Sequence, residues 1–141
     1  MRKVPFVEQM NQTECGLCCC LSILRYYGGK ERMLDLRNTI ECGRDGYNFS
    51  SLRTLLKSRG LEAKSFKAKN IRVISKVKLP CIMFWNEHHF VVAYKITNKH
   101  VYIMDPARGH EKYCLEEADK YFSKAIMLVH PADGYKPKKA K

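Results

Sequence analysis

The sequence predicts an α+β domain with helices in its first 60 residues and antiparallel strands after them. Apolar residues recur at helical spacing up to Leu56, whereas beyond Gly60 they form short runs separated by polar breaks. The chain has 141 residues, of which 45% are hydrophobic, enough for a single packed core. We therefore predict one domain rather than two.

Three helices are predicted in the first half. Residues 15–27 are apolar or small at almost every position, which predicts a helix buried nearly all round that ends at Gly28 and Gly29. A second helix is predicted over residues 31–40. A third should follow Asn48, a good N-cap residue, and end before Gly60.

Five strands are predicted over residues 61–66, 80–85, 90–96, 101–104 and 125–130. Residues 97–99 are a polar break, and a three-residue loop there pairs residues whose numbers sum to about 196. In that register His89 faces residue 107, and Asp105 lies two residues away on the same side of the sheet, within roughly 7–8 Å by Cα. The hairpin therefore brings an imidazole and a carboxylate within reach of each other.

The formal net charge of +12 is concentrated in two segments. Residues 57–78 hold eight basic residues and one acidic residue, and residues 136–141 add four lysines. The first segment is most often a solvated face. Docking on an acidic partner or a lipid surface is one alternative; nucleic-acid binding is another, although no recognition motif accompanies the charges. The second predicts a basic linker or tail over residues 132–141, after a folded domain over residues 1–131.

The cysteines and the lack of long apolar runs indicate in which kind of compartment the protein resides. No run of about 18 apolar residues occurs and the first residues lack the apolar stretch of a secretory signal, so we expect a soluble domain. Seven cysteines, three of them consecutive at positions 18–20, make a poor disulfide framework and favour a reducing compartment. Most thiols should be buried, and Cys42, Cys81 and Cys114 are predicted to be structural.

Four residues together predict an acyl-transfer site. Cys15, His89 and Asp105 are candidates for a nucleophile, a base and a residue that orients the base. Cys15 should lie in the first turn of the buried helix, where the helix dipole favours a thiolate, and Gly16 after it could let a substrate backbone come close. Gln9 lies six residues upstream, where its amide could join the Cys15 N–H in binding an oxyanion.

Competing explanations exist for some of these residues. Cys15 and Cys18 form a C-x-x-C, which could be a redox pair or, with His88 or His89, a zinc site. A thioredoxin-like site requires a strand directly before the motif, where this chain has the polar residues 9–14. A structural zinc site requires a second spaced pair, which is missing here. His88 also competes with His89 for the role of base, but neighbours on a strand point to opposite faces, so only one can address Cys15.

Three separated stretches of the chain resemble the peptidase C39 family, the papain-like domains that precede the membrane part of certain peptide-exporting ABC transporters. They are QMNQTECGL at residues 9–17 with YYG at 26–28, HFVV at 89–92, and DPARG at 105–109. The likeness spans residues 4–131. It implies a papain-like fold in which the helical half carries the nucleophile and the sheet carries His and Asp.

The resemblance also implies an activity. The domain would be a cysteine endopeptidase that removes the leader of a bacteriocin or lantibiotic precursor by cutting after a Gly-Gly or Gly-Ala doublet. Carried over to this sequence, Cys15 is the nucleophile and His89, directly before Phe90 as in the family pattern, is the general base and then acid. Asp105 orients His89, and Gln9 is the oxyanion donor.

The implied partner is a precursor peptide whose amphipathic helical leader lies in a shallow apolar groove, while a narrow cleft admits only Gly-sized residues beside the scissile bond. No metal, no cofactor and no nucleic acid is implied for this domain. ATP is expected only in a separate nucleotide-binding domain, because no G-x-x-x-x-G-K-[ST] loop occurs here. The chain is then either a stand-alone protease or the N-terminal domain of such a transporter. We expect the second, at the cytoplasmic side of the bacterial membrane, because a basic tail suits an approach to lipid.

Overall fold

A six-stranded antiparallel sheet forms the centre of the fold, with apolar side chains buried against both of its faces. The computed structural model describes residues 2–40 and 46–139. Its helices are α1 (Cys15–Tyr26), α2 (Met33–Arg37), α3 (Phe49–Ser58) and α4 (Leu115–Tyr121). Its strands are β1 (Leu61–Lys67), β2 (Cys81–Trp85), β3 (His89–Ile96), β4 (His100–Asp105), β5 (Gly109–Cys114) and β6 (Phe122–Pro131), in the order β1-β6-β2-β3-β4-β5. The predicted α+β class is confirmed.

The two faces of the sheet explain why several strands are apolar at consecutive positions. Helices α1 and α3 share one core with inward residues such as Ile82, Val92 and Met127. A second core on the other face joins Val91 and Ile126 to α4 and to a 3₁₀ helix at Ile71–Lys76. Strands covered on both faces lose the polar alternation of a half-exposed sheet.

Helix α1 is the buried helix that the sequence predicts. Ten of its twelve residues are buried, and its one buried hydroxyl, on Ser22, donates a hydrogen bond of 2.6 Å to the Pro5 carbonyl. The helix ends as expected, because Gly28 adopts a left-handed φ of 92° and the Gly29 N–H donates to the Leu24 carbonyl at 2.9 Å.

The predictions of the other two helices differ in accuracy. Helix α3 begins after Asn48, whose side chain accepts from the Ser51 N–H at 2.8 Å, as predicted. Helix α2 is shorter than the predicted residues 31–40. The Asp35 carboxylate accepts from the Arg32 N–H at 2.8 Å, so this carboxylate caps the helix and starts it at Met33.

Strand β5 and helix α4 were not predicted. β5 is an edge strand whose residues are mostly exposed or half-buried, so it lacks the apolar run that marks a central strand. Helix α4 has only seven residues, too few for helical periodicity to stand out. Strand β6 then starts at Phe122, three residues before the predicted residue 125.

The hairpin of β3 and β4 has the predicted register where it matters for the site. Val92 pairs with Met104 and Ala93 with Ile103, so the paired numbers sum to 196. A bulge next to Ala93 shifts the pairing by one residue toward the loop.

After Pro131, where β6 ends, the chain still contacts the domain. The Lys30 N–H donates to the Lys138 carbonyl at 2.9 Å, and Lys138 Nζ lies 3.1 Å from the Asp35 carboxylate. The segment that the sequence predicts to be a basic linker or tail therefore lies along the α1–α2 side, at least as far as Lys138.

Five of the six described cysteines are buried and all six are free thiols, as predicted. Cys81 is buried in β2, whereas Cys114 is exposed and its sulfur accepts from the Glu117 N–H at the start of α4. Cys42 lies outside the described residues. Within those residues, no helix is long and apolar enough to cross a membrane.

Candidate active site

Cys15 is the first residue of α1 and is buried, with 4% of its surface exposed. A 3₁₀ helix at Gln12–Glu14 runs directly into α1 and is capped by Asn11, whose side chain accepts from the Thr13 N–H at 3.0 Å. The sulfur therefore lies at the positive end of the helix dipole, as the sequence predicts.

An ion pair next to Cys15 ties the start of α1 to α2. Arg37 donates two hydrogen bonds to the Glu14 carboxylate, from Nε at 2.6 Å and from Nη2 at 2.9 Å. These bonds outweigh the effect of burial and lower the pKa of Glu14. Sequence reasoning missed this pair, because nothing local relates residue 14 to residue 37.

His89 and Asp105 form the pair that the hairpin register predicts. His89 Nε2 lies 2.7 Å from Asp105 Oδ1, with His89 at the start of β3 and Asp105 at the end of β4. The same Asp105 oxygen accepts from the Ala107 N–H at 2.8 Å, so the turn after β4 also holds the carboxylate in place.

The electrostatics of this pair place the proton on the imidazole at neutral pH. Burial lowers the pKa of His89, but hydrogen bonds with Asp105 and with the Cys15 side chain outweigh it and raise the pKa to about 9. Burial raises the pKa of Asp105, yet hydrogen bonds from His89 and the Ala107 N–H hold it below the ordinary value. Because Nε2 faces Asp105, the other ring nitrogen, Nδ1, is left for Cys15.

The neighbouring His88 does not take part in this arrangement. Its side chain is exposed, and its Nδ1 contacts the carbonyl of Asn86 within its own turn. The structure therefore brings His89, and not His88, to Asp105.

Gln9 lies beside the same pair. Its backbone N–H donates to the Pro106 carbonyl at 3.0 Å, which ties the N-terminal segment to the turn after Asp105. Its side-chain oxygen Oε1 is buried and has no hydrogen-bond partner. An unpaired buried amide is costly, so this group is suited to a ligand, and a rotation of the amide would present its N–H₂ instead.

The suggestion that Gly16 makes room for a substrate is wrong. A Cβ on Gly16 would lie 2.9 Å from Leu52 Cδ1 and 3.4 Å from Phe90 Cδ2. Gly16 therefore lets α1 pack closely against α3 and β3.

Cys18 lies one turn after Cys15 in the core. Burial raises the pKa of its thiol to about 12, so Cys18 stays protonated at neutral pH. A redox pair or a zinc site would need it as a thiolate. In the described part of the chain, no group of three or more His, Cys, Asp or Glu side chains could hold a metal ion.

Two depressions lie near the start of β3. The His89 cavity, of about 280 Å³, is lined by residues that include Gln9, Trp85, His89, Asp105, Arg108 and Tyr121. The phenylalanine groove, of about 440 Å³, lies between α3 and the hairpin of β2 and β3 and includes Phe49, Phe84 and Phe90, whose ring centroids are 5.2–6.3 Å apart. His88 borders both depressions.

Comparisons with known proteins agree on one family. The model of the peptidase C39 family matches residues 3–134. A crystal structure of a double glycine motif protease from an AMS/PCAT transporter, in complex with the leader peptide, is 33% identical with a TM-score of 0.87, and the match covers 92% of this chain and 93% of that one. The predicted papain-like arrangement is thereby confirmed.

Two curated relatives are much longer than this chain. The lacticin-481/lactococcin-DR transport/processing ATP-binding protein of Lactococcus lactis subsp. lactis is 31% identical over 96% of this chain and 20% of its own length. The probable microcin-H47 secretion/processing ATP-binding protein of Escherichia coli is 27% identical over 95% of this chain and 19% of its own length. The chain thus spans about a fifth of the length of these relatives. Because the family match runs through both the helical half and the sheet, the chain belongs to the peptidase C39 family, a family of cysteine peptidases.

Proposed function

We propose that this domain removes the leader of a bacteriocin or lantibiotic precursor by hydrolysing the peptide bond after a Gly-Gly or Gly-Ala doublet. The observation that carries the proposal is the position of His89, which contacts the Asp105 carboxylate through Nε2 and whose pKa the Cys15 side chain also raises. The similarity to a double glycine motif protease bound to a leader peptide supports the substrate class.

In the first step, the Cys15 thiolate attacks the carbonyl carbon of the second residue of the doublet. The negative charge that develops on the carbonyl oxygen is stabilised by the Cys15 backbone N–H and the Gln9 amide. His89 then gives its Nδ1 proton to the leaving amine, and the acyl group remains on sulfur as a thioester.

In the second step, water attacks the thioester and His89 takes up the proton that the water releases. The leader leaves with a free carboxylate, and the Cys15 thiolate is regenerated beside the imidazolium. Asp105 remains ionised throughout, because hydrogen bonds hold its pKa below the ordinary value. Its hydrogen bond with Nε2 also holds the ring in the orientation that points Nδ1 at sulfur.

The phenylalanine groove supports binding of an amphipathic leader helix. Its three phenylalanine rings offer an apolar surface next to α1, since a Cβ added to Gly16 would lie 3.4 Å from the Phe90 ring. A helix that lays apolar side chains into this groove would deliver its C-terminal doublet to Cys15.

Cleavage of a purified precursor with a double-glycine leader tests the proposal, with the cut position read by mass. Wild type should cut once, after the doublet, and Cys15→Ala should not cut while still binding the leader. Cys18→Ala removes the next thiol of the same helix and should remain active. Cleavage by Cys15→Ala, or a cut elsewhere, would refute the assignment.

Alkylation of the thiols adds an independent readout. Cys114 is an exposed thiol outside the site, so the comparison uses a Cys114→Ala background in which peptide mapping identifies the modified sulfur. Modification of Cys15 should parallel the loss of cleavage. Activity that survives full modification of Cys15 would contradict its role as nucleophile.

We further propose that the full-length protein is a transporter in which membrane and nucleotide-binding domains follow this one. The two curated relatives described above are named as secretion or transport ATP-binding proteins and are about five times as long as the chain. ATP would then act in the nucleotide-binding domain, cleavage would occur at the cytoplasmic side of the membrane, and residues 132–141 would be the linker. The nucleic-acid and thiol-redox alternatives have no support from the family match.

A further inference from the structure

The His89 cavity has an aromatic wall that the mechanism does not use. Trp85 at the end of β2 has its ring centroid 5.5 Å from that of Tyr113 on β5 and 5.7 Å from that of Tyr121 at the end of α4. The Tyr113 and Tyr121 centroids are 5.9 Å apart. Three separate elements thus converge on one aromatic surface that lines the same cavity as His89.

A cationic side chain lies at the edge of this cavity. The Arg108 side chain is 67% exposed, on the turn between β4 and β5, with Nη1 3.9 Å from a Glu111 oxygen. The Tyr113 hydroxyl donates to the other Glu111 oxygen at 2.9 Å, which holds Tyr113 in the wall. Besides the paired His89 and Asp105, Arg108 is the charged side chain among the described residues that line the cavity, and its partner Glu111 does not line it.

The direction of a bound peptide follows from the chemistry of His89. The acyl part of the substrate must lie next to Cys15, and the phenylalanine groove adjoins α1 on that side through Phe90 and Gly16. The leaving amine must lie at His89, which protonates it. The chain beyond the scissile bond therefore continues past His89, into the cavity that His89 itself lines.

We propose that the His89 cavity binds the first residue of the released peptide, that its aromatic wall accommodates a large neutral side chain there, and that Arg108 disfavours a cationic one. This assignment rests on the proposed function, because it takes Cys15 and His89 as the reacting pair. A volume of about 280 Å³ lies at the lower end of ligand pockets and suits one residue rather than an extended segment.

The test uses three precursors with the same leader and the same Gly doublet, followed by Trp, Ala or Lys. Contact between aromatic side chains predicts that wild type cleaves the Trp precursor with a kcat/KM about two- to tenfold above that of the Ala precursor. The Lys precursor should be the slowest. Tyr121→Ala should bring the Trp-to-Ala ratio close to one, and Arg108→Ala should raise kcat/KM for the Lys precursor relative to the Ala precursor.

Two controls separate this cavity from the leader site and from general charge effects. The Kd of the leader peptide alone should be the same for wild type, Tyr121→Ala and Arg108→Ala. Lys64→Ala removes a positive charge on β1, at the opposite edge of the sheet from the turn that carries Arg108, and should leave the Trp-to-Ala and Lys-to-Ala ratios unchanged. Both Tyr121 and Arg108 are exposed, so these variants should fold, which circular dichroism checks.

The outcomes are distinct. If neither Tyr121→Ala nor Arg108→Ala changes the Trp-to-Ala or Lys-to-Ala ratio, the cavity assignment is overturned. Cleavage after the doublet would still support the proposed function. A weaker leader Kd in Tyr121→Ala with unchanged ratios would instead assign the cavity to the leader. If wild type cleaves none of the three precursors after the doublet, the proposed function fails and this assignment fails with it.

Discussion

Replacing Asp105 with Asn tests how strongly the carboxylate holds the proton on His89. The variant keeps the shape of the side chain and an acceptor oxygen but removes the charge. The pKa of His89 is raised from 6.5 to about 9, which corresponds to roughly 3 kcal/mol in favour of the imidazolium. Only 15% of the His89 side chain is exposed, so solvent screens the pair weakly.

Without the carboxylate, burial lowers the pKa of His89 with only Cys15 left to oppose it. We expect the pKa of His89 in Asp105→Asn to fall to its ordinary value or below. If about 3 kcal/mol of ion-pair stabilisation is lost, the rate at neutral pH falls by about 10²-fold. The alkaline limb of kcat/KM, near pH 9 in wild type, should move at least one pH unit lower.

Folding stability should report the same shift. Because the pKa of His89 is raised on folding, its contribution to the free energy of unfolding is fully present below about pH 6.5 and is lost as the pH rises through about 9. Between pH 6 and pH 9.5, the free energy of unfolding measured in urea should therefore fall more for wild type than for Asp105→Asn.

The measurements are kcat/KM from pH 5 to 10 and the NMR titration of the His89 ring. Asp133→Asn is the matched control, since Asp133 is an exposed carboxylate after β6. An Asp105→Asn enzyme with an unmoved alkaline limb and a rate within threefold of wild type would show that the carboxylate does not hold the proton on His89.

Three further variants test the surroundings of Cys15. Gln9→Ala should lower kcat by roughly 10²-fold with leader affinity unchanged, and an equal loss of affinity would mark Gln9 as structural. Gly16→Ala should lower the free energy of unfolding by about 1 kcal/mol in urea titrations, because the new Cβ would lie 2.9 Å from the buried Leu52 side chain. A more stable variant would contradict the packing role. Arg37→Gln should lower the free energy of unfolding at neutral pH, as it leaves the Glu14 carboxylate without its partner. Because the pKa of Glu14 is lowered on folding, this difference should shrink as the pH falls below about 4.5, and a constant difference would rule out the ion pair as its source.

Local patterns predicted the helices and the hairpin for identifiable reasons. Helix α1 is buried on all sides, so its sequence is apolar on all sides, and Gly28 ends it because it takes a left-handed φ that other residues avoid. The polar break at residues 97–99 set the register of β3 against β4, which is why the contact between His89 and Asp105 could be predicted.

Where local patterns were weak or ambiguous, features were predicted wrongly or not at all. β5 is a polar edge strand, and its residue Tyr113 belongs to the aromatic wall, so the His89 cavity was not foreseen. Gly16 shows a different failure, because a small residue suits a close substrate and a close helix equally well, and only the position of Leu52 distinguishes them.

By itself, the sequence determined the α+β class, the burial of α1 and the pairing of His89 with Asp105, since each depends on backbone periodicity or on the length of one turn. Only the tertiary structure shows how α1, which begins at Cys15, packs on β3, which begins at His89, 74 residues later. It also decided that Arg37 secures the residue before that sulfur and that a cavity opens beside His89. Such contacts arise when helices pack on a sheet, and packing depends on the shapes of distant side chains, which no local pattern records.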